Sequence, residues 1–245
     1  MIPYITAGFP DAAATRAMLE GMERAGADIV ELGVPWSDPV ADGPVIQAST
    51  HAAIAGGTTL RSVLELLKRS RCGVPVIVFS YLNPILAMGA SRFAAAARDA
   101  GAAGVLVTDL PAGTDAALEG ELRSTGLPLV RLVAPTSTDE RIREIARASE
   151  GFVYLLARTG VTGARTKVGA DLGQRIAAVR AATSLPIAVG FGIGAADQAA
   201  EVGALADGVV VGSALVERMK GKGSEAALSW LAELRAALDK VRRAA

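Results

Sequence analysis

The feature of this sequence that most constrains its fold is a unit that recurs along the chain. Each copy has an alanine-rich amphipathic segment, then a glycine or proline, then a short run of valine, isoleucine and leucine. The unit appears in MERAGADIVELGV (22–34), ARDAGAAGVLVTDLP (97–111), RSTGLPLVRLVAP (123–135) and AATSLPIAVGFG (181–192). Glycine and proline end helices, and a short run that is apolar on both faces is typical of a strand in a helix-covered parallel sheet. The repeat therefore predicts helices alternating with parallel strands.

Strand candidates occur along the whole chain. They lie near residues 2–7, 28–33, 75–80, 104–108, 127–133, 152–156, 186–190 and 208–212. Helical patterns fill the intervals, and a last one at 225–241 follows Ser224, a residue type that caps helices. Eight strands, each followed by a helix, predict α/β architecture with a single (β/α)8 TIM-barrel domain over residues 1–245. The alternative is a doubly wound open sheet, although TAGFPDAA (6–13) lacks the glycine fingerprint that usually follows the first strand of such folds.

Composition narrows the class of protein. The chain has 245 residues, 51% of them hydrophobic, and a formal net charge of +0, which favours neither nucleic acid nor an anionic membrane as partner. One cysteine, Cys72, cannot form an internal disulfide and suits a reducing cytoplasm. One histidine, His51, excludes a metal site with several imidazole ligands, so we expect no metal and interpret His51 as a structural or surface residue. The chain opens on a strand pattern rather than a signal peptide, and no apolar run reaches the ~18 residues of a membrane span.

Polar residues collect where the strand candidates end, which in a barrel is the active face. Glu31 and Asp42 follow the second candidate, Tyr81 and Asn83 follow the third, and Asp109 follows the fourth. A charged carboxylate in a buried strand is costly unless a cation is near, and the neighbouring sequence offers none to Glu31. We therefore predict that Glu31 is a working acid or base. For Asp42, Asn83 and Asp109, a role in turn structure is an open alternative.

Two glycine-rich strand ends predict a phosphate site. Gly190-Phe-Gly192 ends the seventh strand candidate, and Gly212-Ser213 ends the eighth. Barrels frequently bind phosphate with the loops after these two strands, and glycine lets backbone N–H groups approach an anion, although tight turns are the alternative. The stretch RTGVTGART (158–166) has the composition of a lid that closes over a ligand, or of a flexible surface loop.

Elimination narrows the type of reaction. A Schiff-base aldolase needs a lysine beside the reacting carbon, and the lysines lie in predicted helices, in the C-terminal region or beyond the lid stretch. A metal-dependent aldolase of the histidine-rich kind is excluded by the single histidine. What remains is direct acid–base chemistry on a substrate that can stabilise its own charge.

Six motifs occur in an order that resembles a known family. They are ELGVPWSDPVADGPVIQ (31–47), SYLNPI (80–85), TDLP (108–111), YLLARTGVTGA (154–164), GFGI (190–193) and GSALV (212–216). Together they resemble the tryptophan synthase alpha chain, the indole-3-glycerol-phosphate lyase family, from about residue 2 to the C-terminal helix. The resemblance implies retro-aldol cleavage of indole-3-glycerol phosphate to indole and glyceraldehyde 3-phosphate. It also implies a beta chain that carries pyridoxal phosphate as partner in an alpha2beta2 complex, with no cofactor in this chain.

The resemblance further implies roles for individual residues. Glu31 corresponds to the acid–base that protonates the indole carbon bearing the glycerol chain and helps deprotonate the side-chain hydroxyl. Asp42 corresponds to the group that accepts a hydrogen bond from the indole N–H and stabilises the cationic indolenine. The implied indole pocket is Tyr4, Ile46, Phe79, Tyr81, Tyr154 and Phe191; the lid residues are Arg158 and Thr162, of which Thr162 would meet Asp42; the phosphate ligands are Gly163, Gly192, Gly212 and Ser213; and the partner contacts are Pro35, Asp38, Asn83 and Pro111.

The sequence also departs from the family pattern. Members usually carry a short helix before the first strand, whereas this sequence begins at the strand, and Tyr4 and Trp36 stand where phenylalanine is common. Three alternatives to a two-subunit synthase stay open at this point: a free-standing indole-releasing lyase, a barrel that only activates a partner, and another phosphate-binding barrel such as an isomerase. The presence of both Glu31 and Asp42 argues against the barrel without catalysis.

Overall fold

The computed structural model describes residues 1–157, 170–190 and 192–244 of the chain. Its strands are β1 (Ile2–Thr6), β2 (Val30–Gly33), β3 (Val76–Ser80), β4 (Gly104–Val107), β5 (Leu129–Val133), β6 (Val153–Leu156), β7 (Ile187–Gly190) and β8 (Gly208–Val211). They form a closed barrel in chain order, and neighbouring strands are parallel. The predicted (β/α)8 barrel is confirmed, and every strand lies within the interval predicted for it.

Helices occupy the intervals between the strands. They are α1 (Ala12–Gly21), α2 (Pro44–Ala55), α3 (Leu60–Arg69), α4 (Leu82–Met88), α5 (Ala90–Asp99), α6 (Ala116–Arg123), α7 (Asp139–Ala148), α8 (Ala170–Arg180), α9 (Ala196–Gly203) and α10 (Ser213–Ala244). Asp11 and Asp115 cap α1 and α6 by accepting from the backbone N–H three residues later, which satisfies a donor that the first turn leaves free. Gly223, with φ of 80°, interrupts α10 just before the predicted helix at 225–241. None of the described helices is long and apolar enough to cross a membrane.

The side chains of each strand alternate between the barrel interior and the helix layer, as the two-residue period of a strand requires. The interior cluster contains Ile2, Ile77, Leu106, Val130, Phe152, Tyr154, Ala188 and Val210. Their neighbours along the strands, such as Val76 and Val78 of β3, pack instead with the buried faces of the helices. This alternation explains why the strands read as continuous apolar runs in the sequence.

The strand register places Glu31 in the barrel interior. Glu31 of β2 is paired with Tyr4 of β1 on one side and Ile77 of β3 on the other. Because paired residues of parallel strands point to the same face of a sheet, the Glu31 carboxyl lies in the barrel interior. Only Leu32 and Gly33 follow Glu31 in β2, so the carboxyl is close to the C-terminal rim of the barrel.

A second buried carboxylate, Glu119, lies on the outer side of the barrel. It is on α6 and faces Arg131 of β5, whose Nη2 is 2.5 Å from Glu119 Oε2. Glu119 is 6% exposed and Arg131 is 3% exposed. The pair also holds the loop between β4 and α6, because Arg131 Nη1 donates to Leu110 O at 3.2 Å and Gly113 N donates to Glu119 Oε1 at 2.8 Å. The role of this acid is therefore structural.

Candidate active site

Glu31 is a buried acid without a hydrogen-bond partner. The residue is 1% exposed, and neither of its carboxyl oxygens has a hydrogen-bond partner among the described residues. Burial raises the pKa of Glu31 to about 8, because removal from water penalises the charged form. At pH 7 the group therefore holds its proton and can donate it.

Asp42 has a different environment in the loop between β2 and α2. Tyr81 Oη donates to Asp42 Oδ2 at 3.0 Å and accepts from Ala41 N at 3.0 Å, so the hydroxyl of the residue that follows β3 holds this loop. Burial raises the pKa of Asp42 to about 6, and the bond from Tyr81 acts in the opposite direction because it favours the charged form. At pH 7 Asp42 is mostly ionised, whereas Glu31 is mostly neutral.

Two tyrosines lie within electrostatic reach of both acids. Burial raises the pKa of Tyr4, and the negative charges of Asp42 and Glu31 raise it further. Burial also raises the pKa of Tyr154 above its usual value, and the nearby Glu31, Tyr4 and Asp42 raise it further. These four side chains therefore lie near one another at the C-terminal end of the barrel.

Two strand-end glycines leave room for these tyrosines. A Cβ atom at Gly33 would lie 2.1 Å from Tyr4 Oη, and a Cβ atom at Gly190 would lie 2.5 Å from Tyr154 Oη. Real Cβ atoms do not approach so closely, so any larger residue at either position would displace the ring. This relation was not predictable, since nothing in a sequence pairs a glycine with a side chain on another strand.

The predicted indole-pocket residues that the structure describes lie at this rim. Tyr4 packs edge-on against Phe79, with ring centroids 5.3 Å apart and planes at 79°, a favourable aromatic geometry. Ile46 of α2 joins the same apolar cluster. Tyr81 is buried, and its hydroxyl makes the bond to Asp42. Phe191 lies outside the described residues, as do Arg158, Thr162 and Gly163.

The predicted phosphate residues within the described part lie at the ends of β7 and β8. Gly192 has φ of 74°, a left-handed conformation that favours glycine. Gly212 links β8 to α10, and its carbonyl accepts from Leu215 N at 2.8 Å in the first turn of α10, which begins at Ser213. The first N–H groups of a helix have no partner within the helix and carry partial positive charge, so an anion suits this end of α10.

The four predicted partner contacts differ in exposure. Asp38, Asn83 and Pro111 are exposed, whereas Pro35 is buried within the chain. An exposed apolar residue, Val40, was not singled out from the sequence; its side chain is 85% exposed in the loop that carries Asp38. The sequence did contain a sign of this exposure, because Val40 is an apolar residue between two acids, Asp38 and Asp42, in a predicted turn.

The two acids at this rim differ in protonation at pH 7. Glu31 holds a proton, and Asp42 is mostly charged. When the surroundings separate the pKa values of two acids in this way, the protonated one can act as an acid and the charged one as a base. Among the residues that the structure describes, no group of three or more His, Cys, Asp or Glu side chains is placed to hold a metal ion.

The sequence is similar to those of known alpha chains over nearly its whole length. A model of the family described as tryptophan synthase alpha chain matches residues 1–243. The tryptophan synthase alpha chain of Geobacter sulfurreducens is 51% identical, covering 89% of this chain and 83% of that protein. The alpha chain of Burkholderia pseudomallei is 46% identical, covering 98% and 91%.

Solved structures agree with these relatives. Tryptophan synthase of Mycobacterium tuberculosis includes a chain that matches with a TM-score of 0.89 at 36% identity, covering 97% of this chain and 91% of that chain. The alpha subunit of tryptophan synthase from Legionella pneumophila matches with a TM-score of 0.86 at 35% identity, covering 98% and 92%. The chain therefore belongs to the tryptophan synthase alpha chain family, the lyases that cleave indole-3-glycerol phosphate and pass indole to a beta chain.

Proposed function

We propose that Glu31 and Asp42 divide the acid–base work of indole-3-glycerol phosphate cleavage. The observation that supports this assignment is the contrast in protonation at one rim: burial keeps Glu31 neutral at pH 7, while Asp42 is mostly charged. In the first step Glu31 gives its proton to the indole ring carbon that bears the glycerol chain. The positive charge that develops on the ring nitrogen is stabilised by the Asp42 carboxylate, which accepts a hydrogen bond from the indole N–H.

The second step returns the proton to Glu31. As a carboxylate in an apolar interior, Glu31 is a strong base, and it takes the proton of the hydroxyl on the side-chain carbon attached to the ring. That carbon becomes the aldehyde of glyceraldehyde 3-phosphate, the carbon–carbon bond breaks, and its electron pair neutralises the cationic ring to give indole. Protons and electrons balance within the substrate and one carboxyl group.

The substrate's two ends have separate contacts in this proposal. Tyr4, Phe79 and Tyr154 line the apolar space for the indole ring. Gly192, Gly212 and Ser213 offer backbone N–H groups and a hydroxyl to the phosphate. Gly163, Arg158, Thr162 and Phe191 keep the roles that the family resemblance implies.

The test is the pH dependence of kcat/KM for indole formation. We expect a bell-shaped profile whose rising limb reports Asp42, near about 6, and whose falling limb reports Glu31, near about 8. Glu31→Gln should lower kcat by about 10²–10⁴. Asp42→Asn should be milder and should remove the rising limb, because the amide oxygen still accepts a hydrogen bond but carries no charge.

The control is Glu65→Gln, the same chemical change at an exposed acid of α3. Its profile should match that of the wild-type protein. A folded Glu31→Gln protein that keeps about a tenth or more of wild-type turnover would remove Glu31 from the mechanism.

We also propose an alpha2beta2 assembly in which the exposed loop residues Asp38, Asn83 and Pro111 contact the beta chain, with Val40 as a further apolar contact. Asp38→Ala should leave cleavage by the isolated chain within about threefold while weakening its stimulation by a beta chain. Complete loss of the isolated activity would reassign Asp38 to the chemistry. Turnover with and without a beta chain also distinguishes this proposal from a free-standing lyase.

The proposal also covers domain organisation, cofactor use and cellular location. We propose that residues 1–245 are one domain, since all eight barrel strands are needed to close the sheet. The chain itself uses no cofactor, and pyridoxal phosphate belongs to the beta chain. The reaction takes place in the cytoplasm, which the single free cysteine, Cys72, supports because it makes no disulfide.

A further inference from the structure

The loop between β2 and α2, residues 34–43, is held by the helix that follows it. Gln47, Thr50 and His51 of α2 are spaced i, i+3 and i+4, so they share one face of the helix, and each contacts the backbone of the loop. We propose that these three side chains are positioning residues for the lyase reaction, holding the loop so that the Asp42 carboxylate meets the substrate. The inference rests on the role proposed for Asp42.

Gln47 acts closest to Asp42. Its Nε2 donates to Asp42 O at 2.9 Å and to Pro39 O at 3.3 Å, and Asp42 N donates to Pro39 O at 3.0 Å. One amide group therefore closes the turn from Pro39 to Asp42 and fixes the backbone from which the catalytic carboxylate projects. The carboxylate itself then meets Tyr81 at 3.0 Å.

Thr50 and His51 hold the first half of the loop. Thr50 Oγ1 accepts from Trp36 N at 3.2 Å, and His51 Nε2 lies 3.0 Å from Ser37 O, to which it donates. Thr50 is buried and His51 is exposed. With Gln47, the helix face reaches the loop at both of its ends.

Most of the outer part of this loop is exposed. Pro39 is buried, but Ser37, Asp38, Val40 and Ala41 are exposed, and Val40 is 85% exposed. Besides the packing of Pro39, the position of this outer part depends on directional hydrogen bonds to α2 and on the Tyr81 hydroxyl. Loss of one such bond should let the loop move without unfolding the barrel, whose core lies elsewhere.

The experiment compares Gln47→Leu and Thr50→Val with Thr50→Ser, which keeps the hydroxyl. For each variant we would measure kcat and KM for indole formation, the rising limb of the pH profile and the melting temperature. We expect Gln47→Leu to lower kcat about tenfold, with a smaller change in KM, since displacement of a catalytic group mainly affects the transition state. The rising limb should shift to lower pH, because a loosened loop returns Asp42 to water and burial is what raises its pKa.

Thr50→Val should change the same quantities in the same direction, and Thr50→Ser should restore them. The matched control is Gln174→Leu, at an exposed glutamine of α8, which should leave them unchanged. If Gln47→Leu fails to fold, the Thr50 pair decides the question. Wild-type kcat and an unmoved rising limb in the folded Gln47 or Thr50 variants would overturn the inference, as would equal losses in Thr50→Val and Thr50→Ser.

Asp42→Asn separates this inference from the proposed function. If Asp42→Asn keeps wild-type kcat and the rising limb, the assignment of Asp42 fails and the positioning role fails with it. If Asp42→Asn loses both but the α2 variants do not, only the positioning role is wrong.

Discussion

Replacing Glu31 with glutamine should stabilise the protein at neutral pH at the same time as it lowers kcat by about 10²–10⁴. The carboxyl group is 1% exposed and lacks hydrogen-bond partners among the described residues, so folding removes it from water without compensation. Glutamine has nearly the same shape but does not ionise. The variant therefore lacks the part of the cost that depends on pH.

The magnitude follows from the two pKa values of Glu31, its ordinary value of 4.5 and about 8 in the folded chain. A folded-state pKa above the unfolded one means that the folded protein binds more protons between these values, so its stability falls as pH rises through this window. One pKa unit corresponds to about 1.36 kcal/mol. Relative to low pH, the free energy of unfolding of the wild-type protein is therefore lower by about 3 kcal/mol at pH 7 and about 4 kcal/mol at pH 8. This is a large share of the ~5–15 kcal/mol stability of a typical domain.

Thermal unfolding at several pH values measures this difference. Between pH 5 and pH 8 the melting temperature of Glu31→Gln should rise relative to wild type by about 10 °C, since 1 kcal/mol is worth about 2–4 °C in a chain of this size. Glu65→Gln, at an exposed acid of α3, should show no such trend. A constant difference between Glu31→Gln and wild type across this range would refute the reasoning, because it would mean that Glu31 ionises as readily in the folded as in the unfolded chain.

Two further variants test the packing around the site and the buried ion pair. Gly33→Ala should lower kcat/KM by about 10²-fold, because the new Cβ would lie 2.1 Å from Tyr4 Oη. The control Gly120→Ala should keep full activity, because its Cβ would meet nothing within 4 Å. Equal activities of the two variants would contradict the packing argument. Arg131→Met should cost about 1.5–3 kcal/mol in urea denaturation, because the buried Glu119 then keeps only Arg123, whose Nη1 lies 3.2 Å from Glu119 Oε2, and adding Glu119→Leu should restore most of that loss. A double variant no more stable than the single one would show that the buried charge is not the cause.

The barrel was predictable because every repeat of the sequence carries the same local information. Glycine or proline ends the helix, and a run apolar on both faces starts the strand, as in the segment from Ala97 to Pro111, where α5 ends just before Gly101 and β4 begins at Gly104. The break of α10 at Gly223 fell just outside the predicted helix, since glycine at φ of 80° interrupts a helix that the apolar pattern alone does not end.

The site was predictable only in part. The burial of Glu31 was predicted from its place in an apolar strand, and its proposed role rests on the cost of burying an acid there without a local cation. Asp42 could not be separated from a turn residue, since its environment depends on the Tyr81 hydroxyl, 39 positions away in sequence. The loop attachments from Gln47 and His51 were likewise missed, and His51 was interpreted only as structural or surface. A histidine on a helix gives no sign in the sequence of which backbone carbonyl it meets.

Glu31 and Glu119 show why burial of an acid does not by itself indicate function. Both are nearly inaccessible, at 1% and 6% exposed. Glu119 lies against Arg131 and accepts from Gly113 N, so its charge is compensated and serves the fold. Glu31 has neither a cation nor a donor among the described residues, so the fold gains nothing from its charge, and burial keeps the proton on it. The difference lies in what faces each carboxyl group, which is decided by strands and helices far apart in the sequence. The uncompensated acid is therefore the one to assign to proton transfer.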